Sequence, residues 1–378
     1  MLSLSLVMIE LDFSPTGQRI KSNFHWLSLK DASTARIICS TIAAGIFSLA
    51  VFSFSMVMIL LSQAASQMSN RILGKLIRNR FQQVVLGFYI GTILYALFLL
   101  STIRDIDTGV HVPAISAYFL ISLTIVDIFL FIYFLHYVTE SVKFDTIIYR
   151  IFKDTEKGLK AACVVKGNEL VSSTEGKGHV VKAFESGAYE GFDKDKLLAL
   201  CKEYNIIVSL VYPVRTYMIR DATTLLTIHV DGDIPKGFND HLRAVIDIGR
   251  THDVTTSYYY GFKQLMEIGI KALSPGINDP GTCILSLQAL GELLACRLTR
   301  SPQTMFKDED GIVRIRTSDK TFDEIFNEHI LPIWDYGKND RLVQHELVHI
   351  LNQLKGLGSS VAVDKLLAKC MQQIVNLA

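Results

Sequence analysis

Residues 37–62, IICSTIAAGIFSLAVFSFSMVMILLS, carry no charged side chain. As a helix rising about 1.5 Å per residue, this run outlasts the roughly 30 Å hydrocarbon core of a bilayer. A hydroxyl recurs along it at Thr41, Ser48, Ser55 and Ser62, and Ser69 continues the series. A spacing of seven brings all five to one helix face, with Ala44, Gly45, Ala65 and Ser66 between them. Lipid has no use for such a stripe, so this face is predicted to meet other helices or water, as a pore lining or a packing surface. The chain reads as an integral membrane protein.

Charged residues make up 20% of the chain and apolar ones 49%, so the two must be segregated. Two further spans follow, 84–103 (VVLGFYIGTILYALFLLSTI) and 114–136 (AISAYFLISLTIVDIFLFIYFLH), and most charge lies after residue 137. The loop between the first two spans carries Arg71, Lys75, Arg78 and Arg80 with no acid; the next has Arg104, Asp105 and Asp107. The positive-inside rule then puts 63–82 and everything after 137 in the cytoplasm, which predicts a multi-pass protein of the bacterial inner (plasma) membrane. Residues 14–35 fall outside, and something must carry them there. Residues 1–9, MLSLSLVMI, are apolar but about half the length of a span. They are read as part of a fourth span, 1–13, cut short by truncation or a misplaced start; a short interfacial anchor is the other reading. A net charge of +1 gives no ground for a nucleic-acid partner. The six cysteines are scattered without a CxxC, which argues against a disulfide or zinc-ribbon framework.

Asp127 stands inside the third span. An ionisable group there costs several kcal/mol unless it faces a bundle interior, a partner or water. It is either an ion or proton site, or a protonated or hydrogen-bonded carboxyl near one end of the span. Gly87 and Gly91 form a small-xxx-small pair suited to close helix packing.

The remainder is predicted as a cytoplasmic α+β region. A connecting helix and linker occupy 141–177, a small β-rich module 178–234, and a mainly helical domain 235–378. β-branched and aromatic runs such as VVKAF, IIVSLVYPV and TLLTIHV carry the module. Helical periodicity dominates after Pro235, from FNDHLRAVIDIGR onward, with a strand-like GIVRIRT at 311–317. At ALSPGINDPGT, 272–282, Asp279 before Pro280 reads as an N-cap followed by a helix-starting proline. The preceding helix aligns Tyr260, Gln264, Glu267 and Lys271 toward Ser274, with Asn278 and Asp279 closing the turn. The cluster is a site for a small anion or polar ligand, or a capped helix–helix turn with a solvated stripe. His345-Glu346-Leu347-Val348-His349 matches H-E-x-x-H, in which His345 and His349 would bind zinc. After His349 no His or Glu follows to supply a third ligand, so a bound metal is not expected. No G-x-S-x-G, Walker loop or Rossmann glycine pattern points to another enzyme class, and no cofactor is expected.

With SFSMVMILLSQAASQMSNRIL at 53–73, VVLGFYIGTILYAL at 84–97, FIYFLHYV in the third span and above all KALSPGINDPGT at 271–282, the chain resembles a bacterial family of predicted inner-membrane proteins, domain of unknown function 2254. The resemblance covers nearly the whole length and implies an additional N-terminal span. Relative to it, Asp127 stands where apolar or small residues are usual, and Glu267 and Lys271 where Asp and Arg are common. The resemblance supplies architecture and location without chemistry. Three functions therefore compete: an oligomeric channel or transport protein, a membrane-anchored sensor or scaffold binding a small polar ligand at 264–282, and a membrane metalloprotease. The first is preferred, because an anchor needs neither a hydroxyl face nor a carboxylate in a span. It implies a homo-oligomer in the lipid bilayer and an ion or small polar ligand.

Overall fold

The computed structural model describes all residues except 1, 24–30, 68–79, 104–112, 142, 166–176, 231, 233–236, 250–256 and 378. The chain divides into two compact units, Met1–Thr146 and Ile147–Ala378.

Unit 1 is helical: α1 (Leu2–Phe13), α2 (Pro15–Asn23), α3 (Ala32–Gln67), α4 (Arg80–Thr102) and α5 (Ala114–Ser141). The last three are long and apolar enough to cross a membrane, and each packs on the other two. α3 starts five residues before the charge-free run. Asp31 caps it, accepting from Ser33 N (3.0 Å) and Thr34 N (3.1 Å). Those bonds, with bonds from both hydroxyls, hold the Asp31 carboxyl well below the usual carboxylate range.

The three helices meet through inward stripes. Ala32, Ala35, Cys39 and Ala43 of α3 lie against Tyr95, Ala96 and Leu99 of α4 and Ala117 and Leu120 of α5. Small side chains let these backbones approach where hydrophobicity alone gives no drive between helices in lipid. Farther along, Ile46, Val85, Tyr89, Phe134 and Val138 form a second layer. The outward faces, with Phe47, Val51, Phe54, Ile59, Ile90, Leu97, Ile125, Phe129 and Ile132, are exposed apolar surface that lipid would cover.

α1 packs on α4 and α5. The chain turns at Ser14, whose hydroxyl donates to Leu11 O (2.7 Å) and accepts from Gly17 N (3.1 Å). Gly17 passes so close to the end of α1 that a Cβ there would lie 2.1 Å from Leu11 O.

Unit 2 mixes strands and helices. β2 (Lys177–Lys182), β6 (Thr224–Val230), β4 (Ile207–Leu210), β10 (Val313–Arg316) and β9 (Met305–Lys307) form one sheet in that order, β10 lying parallel to β4. β5 (Tyr217–Met218), β3 (Gly187–Phe192) and β7 (Ile246–Gly249) form a second, antiparallel sheet, and β1 (Cys163–Val165) pairs with β8 (Arg300–Pro302). Helices α7 (Lys194–Glu203) and α8 (Phe238–Val245) contribute Leu197, Cys201, Phe238 and Leu242 to the core, against Val208, Leu226, Ile228 and Ile315 of the strands. The sheets cross residue 234. β7, β9 and β10 all come from the part with helical periodicity, and the helix predicted over FNDHLRAVIDIGR ends at Val245, where Ile246–Gly249 pair with β3.

α6 (Phe144–Ala162), most of which lies in unit 2, buries Ile147, Ile148, Ile151, Phe152, Thr155 and Leu159 on one stripe. The helical core comprises α9 (Tyr258–Ala272), α10 (Pro280–Leu298), α11 (Phe322–His329), α12 (Leu331–Gly337), α13 (Arg341–Leu357) and α14 (Val361–Leu377). By composition α10 is a fourth candidate span, but 61% of its apolar window is buried inside the protein, against 11%, 39% and 22% for α3, α4 and α5. Its apolarity is that of a core helix packed between α9 and α13.

Candidate functional site

Asp127 sits at the midpoint of the apolar stretch Ala114–Glu140, with 13 residues (114–126) before it and 13 (128–140) after. On the helix itself Asp127 is thus central and not close to either end. Leu120 and Phe134 lie seven residues to either side, and all three are wholly buried on one face of α5. Two other helices bring hydroxyls to the same depth: Ser53 from α3, and Tyr89 with Thr92, one turn apart, from α4. All three are also fully buried. The Thr92 hydroxyl is directed at Asp127 and the Ser53 hydroxyl at Tyr89. None of these contacts has the geometry of a regular hydrogen bond, so both carboxylate oxygens, both aliphatic hydroxyls and the phenol lack a regular partner.

Such an arrangement is expensive. A buried polar group without a partner costs about 1–3 kcal/mol, and an isolated charge in hydrocarbon costs more. Other hydroxyls in these helices avoid the cost by donating to the preceding turn: Ser48 to Ala44 O (2.9 Å), Thr124 to Leu120 O (2.8 Å) and Thr139 to Leu135 O (2.8 Å). Ser53 and Thr92 have the same option and do not take it.

Of these residues only Asp127 was singled out by sequence. Single hydroxyls are common in membrane helices, and the repeating stripe drew attention away from Ser53. Thr41, Ser48, Ser55 and Ser62 are all exposed, on the side of α3 away from its neighbours. Ser53 is two residues from Ser55, about 200° around the helix, and points inward. Gly45 shares the exposed side, with nothing near its Cβ position. Ser69, Arg71, Lys75 and Arg78 lie outside the described residues.

In unit 2 the 264–282 cluster takes the form of a capped turn. Asp279 accepts from Thr282 N (3.1 Å) and Thr282 Oγ1 (2.6 Å), which holds its carboxyl below the usual range. Ser274 Oγ donates to Lys271 O (2.7 Å), and Asn278 adopts the left-handed region at φ 49°. Gln264 is buried, Glu267 and Lys271 are half-buried, and Asn278 is exposed. Ser274 and Asp279 are thus both engaged in the turn's own hydrogen bonds.

His345 and His349 are exposed on α13. A shallow groove of about 300 Å³ runs between α10 and α13; Glu346 spans it, accepting from Gln288 Nε2 at 2.9 Å, and His349 bonds Gln353. Among the described residues no three His, Cys, Asp or Glu side chains gather as metal ligands.

A second acid, half-buried, lies in unit 2. Asp319 accepts from Lys320 N (2.7 Å) and from the Tyr258 and Tyr259 hydroxyls. Burial pushes its pKa up to about 6. A raised acid pKa means that the folded form keeps a proton the unfolded chain has released, so this group favours folding as pH falls from about 6 toward 3.8. Above that window the charge, partly withdrawn from water, is a cost. Asp319→Asn, permanently neutral, is expected to unfold at a higher temperature than the unsubstituted protein at neutral pH. The gap should narrow as pH falls from about 6 toward 3.8; thermal unfolding across pH reads it, and a pH-independent gap would contradict the assignment.

Three helices long and apolar enough to cross a membrane, packed around a buried acid and followed by an α+β unit, have the layout of a helical membrane protein. The chain belongs to the family described as predicted membrane protein (DUF2254), which matches residues 1–353. It is 26% identical over 332 residues to uncharacterized proteins of Mycobacterium tuberculosis (strain ATCC 25618 / H37Rv) and Mycobacterium bovis (strain ATCC BAA-935 / AF2122/97). Each alignment covers 84% of this chain and 63% of the relative, so the chain spans less than two thirds of the length of the curated relatives it matches. No solved structure matches it.

Proposed function

We propose that the membrane unit is an ion-handling transport or channel protein, with Asp127 as the group that engages the ion, and not an enzyme. The observation that carries this is the Asp127 carboxylate, wholly buried at the centre of a span with neither oxygen regularly hydrogen-bonded. A bundle built only to anchor unit 2 gains nothing from a buried charge. The outward hydroxyl face of α3 supports a homo-oligomer in which Ser48, Ser55 and Ser62 meet a second copy or line a shared path. The basic loop before α4 supports an inner-membrane orientation with unit 2 in the cytoplasm, where it would act as a regulatory domain.

The test is ion flux in liposomes containing the full chain, with proton- and alkali-cation-sensitive dyes. Flux is expected from the unsubstituted protein, reduced to background in Asp127→Asn. Ser55→Leu should block it with the oligomer intact if the outward face is the path. No flux of any ion, or flux unchanged by Asp127→Asn, overturns the proposal.

A further inference from the structure

The identity of the ion can be taken further from the cluster's chemistry, on the reading of Asp127 as the ion-engaging group. The geometry points to one dehydrated monovalent metal cation of sodium size, held by the Asp127 carboxylate together with the hydroxyl oxygens of Ser53, Thr92 and Tyr89.

Charge decides the valence. The cluster holds a single carboxylate and five partner-seeking oxygens: two from Asp127 and one each from Ser53, Tyr89 and Thr92. One negative charge cancels one positive charge, leaving a neutral assembly in a low-dielectric interior. A divalent ion would leave a net positive charge there and would normally recruit more carboxylates. An anion would meet the carboxylate's charge unscreened.

Oxygen is the only donor type present. Hard oxygen ligands select alkali and alkaline-earth ions, whereas zinc and copper favour imidazole or thiolate. α3, α4 and α5 run unbroken past the cluster, so their carbonyls are committed to helix bonds and the side chains must supply the shell.

The unused hydroxyls decide between a metal ion and a proton. A proton on Asp127 satisfies one carboxyl oxygen and leaves the Ser53, Thr92 and Tyr89 oxygens still without regular bonds. A metal cation takes lone pairs from several oxygens at once, which is what inward-turned hydroxyls on α3 and α4 offer. Five oxygens make a small coordination shell, which suits sodium or lithium better than the larger potassium ion.

Thermal unfolding of the purified full chain in detergent tests this, with sodium-free protein at about pH 8, where a carboxylate is normally ionised. NaCl and LiCl should raise the unfolding temperature saturably over choline chloride of equal ionic strength. Ser53→Ala and Thr92→Val should move the NaCl midpoint up by roughly tenfold, the effect of losing one ligand contact. Asp127→Asn should abolish the sodium response. Identical unfolding in NaCl and choline chloride, or stabilisation that follows acidification alone, overturns the inference. The salt comparison on the unsubstituted chain decides even if a variant does not fold. Sodium-specific stabilisation without liposome flux would retain the occupant and discard transport; flux without a sodium effect would do the reverse.

Discussion

Gly261→Ala should be the most damaging single-methyl substitution in unit 2, lowering its stability by about 3 kcal/mol or more. Gly261 lies in the first turn of α9, where that helix crosses α6. A Cβ added there would stand 1.6 Å from Thr155 Oγ1, 2.6 Å from Thr155 Cβ and 2.8 Å from its Cγ2. A rotamer change can move the hydroxyl and the methyl but not the Thr155 Cβ, so the helices themselves must separate. Thr155 is buried and its hydroxyl donates to Ile151 O at 2.6 Å, so it is held in place. The same crossing supplies its own control. Gly158 of α6 faces Tyr258 Cβ at 3.5 Å, ordinary contact distance, so Gly158→Ala should be tolerated. It could even stabilise the helix by up to about 1 kcal/mol, since alanine is the better helix former. Thermal unfolding of both variants reads the contrast. Equal melting temperatures would show that the crossing is not as close as the structure has it.

What the sequence disclosed depends on how local each signal is. Three long apolar helices were legible because a charge-free apolar run is a property of composition over some twenty residues. The start of α3 was missed because Asp31, its cap, precedes the apolar run. The strands of the 178–232 region were legible as β-branched runs, but their partners were not. Pairing of β4 with β10 joins Val208 to Ile315, and no pattern at either site announces the other. Asp279 before Pro280 declared its own helix start, and the structure realises it as a cap. Asp127 was conspicuous as a charge in an apolar helix. Ser53, Tyr89 and Thr92 became conspicuous only once packing fixed which faces meet, although all three occupy inward stripes with Ile46, Val85 and Leu99.

Asp12 shows most clearly what sequence distance hides, and Asp12→Ala should destabilise the membrane unit by about 2–4 kcal/mol. The third span begins after Pro113, and the sequence Pro113-Ala114-Ile115-Ser116 offers no Asp, Asn, Ser or Thr where an N-cap belongs. The first N–H groups of α5 would be orphaned at a buried helix end, where no water replaces the missing acceptor. α1 supplies it. Asp12 Oδ1 accepts from Ile115 N at 3.2 Å, and Oδ2 accepts from Ser116 N and Ser116 Oγ, both at 2.7 Å. Asp12 and Ser116 are wholly buried, so the bonds are shielded from solvent competition. α1 therefore has a structural task that a short hydrophobic anchor would not have: it closes the end of the third span and so fixes the helix that carries Asp127. Asp12→Asn keeps one acceptor oxygen and should lose less than half as much as alanine. Unfolding in detergent gives the order alanine, asparagine, unsubstituted protein from least to most stable. If alanine were neutral, the cap would be dispensable, and α1 would be held by its apolar contacts with α4 and α5 alone.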